Sequence, residues 1–279
     1  MKMIIGIDIG GSTTKITGFQ ENRIVSPLLV RATDPISSLY GAFGKFLNQN
    51  QLQLDDISFI MVTGVGSSYV KEPIFGISTG RVEEFYSIGM GGLFLSKLSN
   101  AVIVSMGTGT AFVKAESGKA THLGGTGIGG GTLLGLSNRM LNIRHFDDLV
   151  AMALEGDLTN VDLSIRDISS DLITGLPPET TASNFGKISD LASKPDIALG
   201  IINLVFQTIG VLSIFAARTA GTSDIVLTGN LTHVPQASVV FDGLKKLYSV
   251  NFHMPEHAEY ATALGAAIAH ASGGTYTIL

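Results

Sequence analysis

The start of the chain carries residue types suited to binding phosphate and a divalent cation. An apolar run ends in Asp8, and the turn after it holds two glycines and three hydroxyl side chains, Gly10, Gly11, Ser12, Thr13 and Thr14. Glycine turns let backbone N–H groups converge on one concavity, and such concavities bind phosphate oxygens. A neighbouring carboxylate suits Mg²⁺, which takes one or two carboxylates besides phosphate oxygens. An ordinary β-hairpin has the same pattern, so both interpretations stand at this point.

Further glycine-rich turns follow apolar runs later in the chain. Residues 101–106 lead into Gly107-Thr108-Gly109-Thr110, and residues 224–228 lead into Gly229-Asn230. Between them the segment GGTGIGGGT, residues 124–132, runs into an apolar helix predicted at 133–141. A helix N-terminus after such a loop is a ready anion site, although a flexible linker has a similar composition. The recurrence favours a phosphate-binding chain over an isolated hairpin.

A pair of acids, Glu83 and Glu84, opens another predicted helix directly after Arg81-Val82. Phosphoryl transfer from ATP to a hydroxyl group needs a base near the attacking oxygen, which one of these carboxylates can supply. Acids are also common in the first turn of a helix, because they interact favourably with its dipole. The acid pair alone leaves both interpretations open.

Hydrophobic periodicity predicts the elements that position these residues. Strands are expected at residues 2–8, 14–20, 24–29, 57–63, 101–106, 111–115 and 224–228. Helices are expected from Asp34-Pro35, with Asp34 as N-cap, and at residues 85–99, 133–141, 146–154, 196–220, 237–247 and 260–271. Hairpins followed by alternating strands and helices indicate a mixed α/β sheet.

Composition narrows the functional classes. The chain has 279 residues, 15% charged residues, a net charge of −5 and no cysteine. This composition does not indicate a basic surface that would bind nucleic acid or an anionic membrane. The lack of cysteine excludes disulfides, thiolate catalysis and cysteine-bound clusters. The N-terminal segment lacks the pattern of a signal peptide, so we expect a cytoplasmic protein.

One uncharged segment, residues 197–217, is long enough to span a bilayer. Asn203 and Gln207 form a polar stripe on it, and neither aromatic nor basic belts mark its ends. We therefore expect no membrane span, but a helix buried against the sheet or against a second subunit.

In order and spacing, these segments resemble the nucleotide-binding architecture shared by actin, sugar kinases and Hsp70, and within it the type II pantothenate kinases. The resemblance extends over nearly the whole chain. Its segments are DIGGS at 8–12, VEEF at 82–85, MGTGT at 106–110, LGGTGIGGGT at 123–132, ASNFG at 182–186 and ALGA at 263–266. The glycine run and the SNFG segment are the specific ones, whereas the first hairpin is shared by many kinases.

The resemblance implies an α/β, two-lobed, actin-like ATPase (ribonuclease H-like) fold with mixed sheets. Residues 1–97 would form the N-terminal lobe, with the first phosphate hairpin and the catalytic glutamate. Residues 98–279 would form the C-terminal lobe, with the second phosphate turn, the adenosine site and a dimer helix. The dehydratase activators of this superfamily need cysteines for a bridging cluster, which this chain lacks.

The resemblance also assigns site residues. Glu84 matches the catalytic base, and Asp8 is the predicted metal ligand. The nucleotide-binding residues are predicted to be Asp8, Ile9, Gly10, Gly11, Ser12, Thr13, Thr14, Lys15, Thr108, Gly130, Gly131, Thr132, Leu133, Leu134, Phe146, Gly229 and Asn230.

Three residues are predicted at the acceptor site: Thr108, Ala111 and His122. Two of them depart from the family pattern, because the family has a substrate-binding arginine where this chain has His122 and a serine where it has Ala111. His122 itself, Lys119 or Arg81 is then left to hold a carboxylate.

The expected activity is the phosphorylation of pantothenate by ATP and Mg²⁺, a step of coenzyme A biosynthesis, by a homodimer. Two alternatives remain: a kinase for another small hydroxyl compound such as an amino sugar, and a non-catalytic ATP-binding sensor.

Overall fold

The computed structural model describes residues 2–11, 13–31, 34–171 and 175–279. The strands are β1 (Met3–Ile9), β2 (Thr13–Gln20), β3 (Arg23–Arg31), β4 (Ile57–Thr63), β5 (Thr79–Arg81), β6 (Asn100–Met106), β7 (Thr110–Glu116), β8 (Lys119–Thr126), β9 (Leu163–Ser164), β10 (Thr181–Ser183), β11 (Asp224–Thr228), β12 (Asn251–His253) and β13 (Thr277–Ile278). The helices are α1 (Pro35–Asn50), α2 (Glu84–Ser96), α3 (Gly130–Leu141), α4 (Phe146–Ala153), α5 (Ile165–Ile168), α6 (Lys194–Ala220), α7 (Pro235–Tyr248) and α8 (Ala261–Ala271).

The first sheet has the strand order β13-β5-β4-β1-β2-β3. Strands β1, β2 and β3 form antiparallel pairs, whereas β4 joins β1 in parallel and β5 joins β4 in parallel. One face of this sheet buries Ile7 and Ile16 against Phe43 and Phe46 of α1. Asp34 caps α1 as predicted, accepting a hydrogen bond of 2.6 Å from the backbone N–H of Ser37. The opposite face of the sheet packs Phe19 of β2 against Leu264 and Ala267 of α8.

The second sheet has the order β12-β11-β6-β7-β8 and is covered on both faces. Val102 and Val104 of β6 point into a core shared with α6, whereas Ile103 between them packs against the side that holds α2. Alternate residues of a strand point to opposite faces, which is why β6 reads as a continuous apolar run.

Helices α2 and α8 pack against each other between the two sheets. A Cβ built on Gly91 of α2 would lie 1.8 Å from the carbonyl oxygen of Ala261, and one on Gly265 of α8 would lie 1.8 Å from that of Ser87. Only glycine permits this approach of two backbones. Helix α8 meets the first sheet in the same way, because a Cβ on Gly6 would lie 1.9 Å from the carbonyl oxygen of Ala263.

The structure confirms the predicted mixed α/β sheets, and most predicted elements agree with it to within a few residues. The glycine run was wrongly expected to be loop throughout, since β8 continues to Thr126 before α3 begins at Gly130. The short strands β5, β9, β10, β12 and β13 and the short helix α5 were not predicted, because elements of two to four residues show no periodicity.

The predicted division at residues 97–98 falls between α2 and β6, where the chain passes from one sheet to the other. The C-terminal strand returns to the first sheet, because β13 pairs with β5 through Thr277 opposite Arg81. The division into two lobes remains a prediction. In such a division the last residues of the chain would belong to the N-terminal lobe, because β13 lies in the first sheet.

Helix α6 is long and apolar enough to cross a membrane, with a mean hydropathy of 2.1. Within the protein, however, 61% of that apolar stretch is buried. A core helix has the same length and composition, and α6 packs against the second sheet and against α4 and α7.

Candidate active site

A cleft of about 500 Å³ gathers residues from both sheets. Of the predicted nucleotide-binding residues, those that line it are Thr13, Thr108, Gly130, Gly131, Leu134, Phe146 and Asn230. The cleft is also lined by residues for which no role was predicted, namely Leu29, Arg31, Arg144, His145, Asp147, Leu231, His233, Glu259 and Tyr260. They lie outside the glycine turns, and only the tertiary fold brings them to the cleft.

The first turn, between β1 and β2, is closed by a hydrogen bond of 2.9 Å from the N–H of Gly10 to the carbonyl oxygen of Thr13. A Cβ on Gly11 would meet no atom within 4 Å, so this residue faces open space. Ser12, predicted as a phosphate ligand, lies outside the described residues. The turn therefore presents exposed backbone at the position expected of a phosphate-binding loop.

Gly64, directly after β4, supports Asp8 from the neighbouring strand. Its φ is +84°, and a Cβ there would lie 2.5 Å from Oδ1 of Asp8 and 2.7 Å from the carbonyl oxygen of Ile9. The sequence analysis did not single this glycine out. Its position after a buried strand was the available signal.

The second turn is held by the start of α3. The N–H of Gly130 donates to the carbonyl oxygen of Gly107, and that of Gly131 donates to Thr108, each at 2.9 Å. A Cβ on Gly129 would lie 2.6 Å from the carbonyl oxygen of Thr108, which explains why the run is glycine-rich. The expectation that these helix amides form a free anion site is therefore wrong, since the turn carbonyls already occupy two of them.

The third turn brings Asn230 to the cleft. Gly229 has a φ of +91°, and a Cβ on it would lie 2.4 Å from the carbonyl oxygen of Met106. The buried Oδ1 of Asn230 has no hydrogen-bond partner in the described structure. Buried acceptors rarely stay unpaired, so this atom suits a donor from a ligand, such as an amino or hydroxyl group of adenosine.

Several predicted nucleotide-binding residues direct their side chains away from the cleft. Ile9 and Leu133 belong to the apolar cores, and the hydroxyl of Thr14 accepts a hydrogen bond of 2.6 Å from that of Ser38 on α1. The hydroxyl of Thr132 donates to the carbonyl oxygen of Gly127 at 3.0 Å. Any contact of these residues with a nucleotide would use the backbone.

Glu84 and Asp8 come together with Lys15 at the junction of α2 and the first sheet. Asp8 stands opposite Lys15 in the register of β1 and β2. Burial raises the pKa of Asp8, and the Lys15 ammonium partly offsets that effect. Burial, and after it the negative charges of Asp8 and Glu83, together raise the pKa of Glu84 to about 7, although the Lys15 ammonium opposes them. A carboxyl group with a pKa near 7 is suited to general base catalysis at neutral pH.

Glu83 has a structural role that the sequence did not reveal. Its side chain caps α2, with an oxygen accepting a hydrogen bond of 2.7 Å from the backbone N–H of Tyr86. The cap fixes the first turn of the helix from which Glu84 projects. N-caps typically contribute about 0.5–2 kcal/mol.

His122 stacks on Phe85, the residue after Glu84. The two ring centroids are 3.8 Å apart and the planes are inclined by 5°. Ala111, the second residue of β7, stands opposite Gly125 of β8, and His122 stands opposite Val113. Ala111 and His122 therefore lie on one hairpin beside the N-terminus of α2, whereas Thr108 lies in the turn before β7.

The two basic residues left to replace His122 differ in position. Lys119 begins β8 at the far end of this hairpin, three residues from His122, which is about 10 Å along a strand. Arg81 ends β5 three residues before Glu84.

No group of three or more histidine, aspartate or glutamate side chains that could hold a metal occurs among the described residues. Asp8 is thus a single predicted carboxylate ligand. That donor set fits Mg²⁺ carried by phosphate oxygens better than a metal held by protein alone.

The sequence profile of the family described as Fumble matches residues 96–269. The chain is 29% identical over 246 residues to a type II pantothenate kinase of Bacillus cereus (strain G9842), covering 82% of this chain and 84% of the relative. It is 28% identical over 282 residues to that of Staphylococcus aureus (strain USA300), covering 95% and 98%.

Solved structures share the fold at lower identity. Component A of the Acidaminococcus fermentans (R)-2-hydroxyglutaryl-CoA dehydratase has a TM-score of 0.69 at 20% identity, covering 96% of this chain and 97% of that one. A ROK family glucokinase of Streptomyces griseus, in complex with glucose and AMPPNP, has a TM-score of 0.61 at 13% identity, covering 95% and 98%. These likenesses confirm the predicted actin-like ATPase fold.

The raised pKa of Glu84 predicts a signature in stability. Between the ordinary value of 4.5 and about 7, the folded protein holds a proton that the unfolded chain releases. This stabilisation is complete at lower pH and is lost as pH rises through the folded pKa. The glutamine in Glu84→Gln cannot ionise, so the variant does not lose this stabilisation as pH rises. The variant should therefore melt close to the wild type near about pH 4 and at a higher temperature near about pH 8.

Thermal unfolding of both proteins across this range measures the difference. Glu155→Gln, which removes an exposed carboxylate on the segment after α4, controls for the loss of one negative charge. A difference between Glu84→Gln and wild type that does not change with pH would contradict the assigned pKa.

Proposed function

The chain belongs to the Fumble family, and on that premise we propose that it is an ATP-dependent kinase that phosphorylates pantothenate in coenzyme A biosynthesis. The observation that carries the proposal is the position of Glu84, a partly buried carboxyl group with a pKa raised to about 7, beside Asp8 and the first glycine turn. The type II pantothenate kinases to which the chain is similar supply the acceptor.

The cleft fits a nucleotide. Thr13 and Thr108 bring the two phosphate turns to its walls, and Leu134 and Phe146 offer apolar surface to a base. The Oδ1 of Asn230, which has no partner among the described residues, can accept a hydrogen bond from the nucleotide. When bound, ATP with Mg²⁺ supplies the phosphoryl group and the cation that neutralises its charge. Asp8 would hold that cation.

Glu84 would take the proton from the attacking hydroxyl group. Its surroundings keep the pKa near the operating pH, where a base is deprotonated yet still strong enough to accept a proton. Lys15 limits the rise in pKa that burial and Asp8 produce, so the carboxylate form is accessible. The cap from Glu83 and the contacts of α2 with α8 hold the helix that carries the base.

Acceptor recognition would fall to the surface around His122, Ala111 and Thr108. The stack on Phe85 fixes the plane of the imidazole, leaving ring nitrogens at its edge to donate to a carboxylate. An arginine would form two such bonds and is always charged, whereas a neutral histidine ring donates from only one of its nitrogens. We therefore expect His122 to bind a carboxylate more weakly than an arginine would.

The remaining features of the proposal follow from family and fold. The protein would act in the cytoplasm on a small molecule, with no nucleic acid or membrane partner. A net charge of −5 and the burial of α6 are consistent with this.

Glu84→Gln should lower turnover of pantothenate by about 10²–10⁴-fold and leave ATP affinity unchanged, because removing a general base affects proton transfer and not nucleotide contacts. ADP release with pantothenate measures the rate, and calorimetric titration with a non-hydrolysable ATP analogue measures binding. Glu83→Gln is the matched control: it keeps an acceptor oxygen for the N-cap and should retain most activity.

The same assay separates the alternatives. ADP release that depends on an amino sugar and not on pantothenate would favour the other kinase. Nucleotide binding without acceptor-dependent ADP release would favour the sensor. Full activity of Glu84→Gln would refute the base assignment.

His122→Arg should lower the KM for pantothenate and His122→Ala should raise it, with smaller changes in kcat, because the contact exists in both ground and transition states. Steady-state kinetics at fixed ATP measure both. Thr121→Arg, which adds the same charge on the opposite face of β8, is the control and should leave KM unchanged. If pantothenate turnover appears only in His122→Arg, the natural acceptor is another compound.

The family resemblance also leads us to propose a homodimer through α6. Leu204, Val211 and Phe215 share the outer face of this helix at helical spacing, and Phe215 is 55% exposed. An apolar stripe of this kind on an otherwise buried helix is typical of an interface.

Phe215→Asp should convert the dimer into monomers, because a charge on the stripe would be buried without a partner. Sedimentation equilibrium measures the mass. Val239→Asp on α7 is the control, since Val239 is 73% exposed but lies off the stripe. A wild-type protein that sediments as a monomer would refute the dimer.

A further inference from the structure

The cleft of the proposed nucleotide site is also lined by two arginines that have no role assigned so far. Arg31 ends β3 in the first sheet, and Arg144 lies between α3 and α4 beside the second. Within the described residues, neither side chain has a hydrogen bond or an ion pair. In contrast, Arg166 is bound to Glu179, and the Arg218 guanidinium lies 5.6 Å from the centre of the Tyr248 ring.

The register of the first sheet places Arg31 next to the first phosphate turn. Thr13, the last residue of that turn, stands opposite Arg31, and Lys15 stands opposite Leu29. Residues opposite each other in an antiparallel pair project to the same face, with Cα atoms about 4.5–5.5 Å apart. Lys15 also pairs with Asp8, so Arg31 lies on the face of the sheet that carries these two charged residues, away from α1.

Arg144 approaches the cleft from the opposite wall. It stands in the short connection between α3 and α4, and the first residues of these two helices, Gly130 and Phe146, line the same cleft. Arg144 is exposed, as Arg31 is, so each guanidinium can move to meet a ligand. The two cations thus line the same cleft as Thr13 and Thr108, which belong to the two phosphate turns.

The acidic groups at the cleft do not neutralise these arginines. Glu259 lies 3.3 Å from Nε2 of His233, which is its own partner on the same wall. Asp147, in the first turn of α4, forms no ion pair with any residue that the structure describes, and it offers an acceptor for hydroxyl groups such as those of ribose. Guanidinium groups match phosphate oxygens in geometry and charge, and bind them by paired N–H···O bonds.

We propose that Arg31 and Arg144 form a phosphate clamp that holds the polyphosphate of the nucleotide from both walls of the cleft. The inference rests on the proposed use of ATP. The two arginines would bind phosphate through their charge. The backbone amides of Gly130 and Gly131 are less available for this, because they already donate to the carbonyl oxygens of the second turn. Affinity should consequently depend on the number of phosphates and fall as salt screens the charges.

The test compares Arg31→Gln and Arg144→Gln with the wild type by calorimetric titration with a non-hydrolysable ATP analogue, ADP, AMP and adenosine. Each variant should weaken binding of the ATP analogue by about tenfold to a hundredfold, the range of a lost charge-assisted hydrogen bond. Binding of adenosine should stay unchanged, and the salt dependence of ATP-analogue binding should become shallower. Arg31→Lys should be intermediate, because it keeps the charge and loses the paired geometry.

Matched controls lie on the same elements. Arg23→Gln changes the arginine at the other end of β3, and Arg139→Gln changes one in the last turn of α3. Both are exposed and lie off the cleft lining, so they should bind like the wild type.

Equal losses for adenosine and the ATP analogue, or no loss for either, would overturn the clamp. So would an effect of Arg31→Gln on the KM of the acceptor alone, because Arg31 would then hold the acceptor. The outcome is separable from that of the proposed function. Phosphate-graded losses without pantothenate turnover would support the clamp and refute the acceptor, whereas a wild type that binds no nucleotide would refute ATP use itself.

Discussion

The contact between α2 and α8 is the constraint on which the site depends, because it joins the two sheets and fixes the helix that begins with Glu84. Gly91 and Gly265 let each helix backbone meet a carbonyl oxygen of the other, and Gly6 lets β1 meet α8 equally closely. Interiors packed this tightly transmit displacement instead of absorbing it. The close contacts at these three glycines therefore fix the positions of Glu84, the first glycine turn and the second sheet relative to one another.

This packing also creates the electrostatics of the site. Bringing α2 against the first sheet buries Glu84 beside Asp8, and two carboxylates close together cannot both ionise easily. Lys15 is the one cation that opposes the effect on both acids. The result is a carboxyl group whose pKa lies near 7, obtained at a cost in stability wherever that group is ionised. Active sites commonly combine useful chemistry with such a cost.

The second sheet and the start of α3 support the site by positioning the backbone of the second turn. The start of α3 binds the carbonyl oxygens of the second turn, so the glycine run serves to support that turn through its backbone. The acceptor side shows a similar use of packing, because the ring of Phe85 orients that of His122. We propose that recognition of pantothenate rests on this stacked imidazole, at a position where the family resemblance leads us to expect an arginine.

Much of the fold and part of the site followed from sequence. Local chemistry fixes what lies close along the chain: Asp34 caps its helix, apolar periodicity sets α1 and α6, and glycines after buried strands set the turns. The resemblance singled out Glu84 from a pair of acids that helix propensity alone does not distinguish. Elements of two to four residues, such as β5 and β13, escaped because they are too short for periodicity and form only by pairing.

Tertiary structure alone decided which distant residues meet. Arg31 and Arg144 carry no motif, yet β-sheet register and a helix connection bring them to one cleft. The pKa of Glu84 arises from residues far from it in sequence, and the cap from Glu83 depends on where the helix begins. Burial, charge proximity and ring stacking are properties of space between elements. The sequence by itself determined the turns and helices, and only their packing determined the chemistry that they enclose.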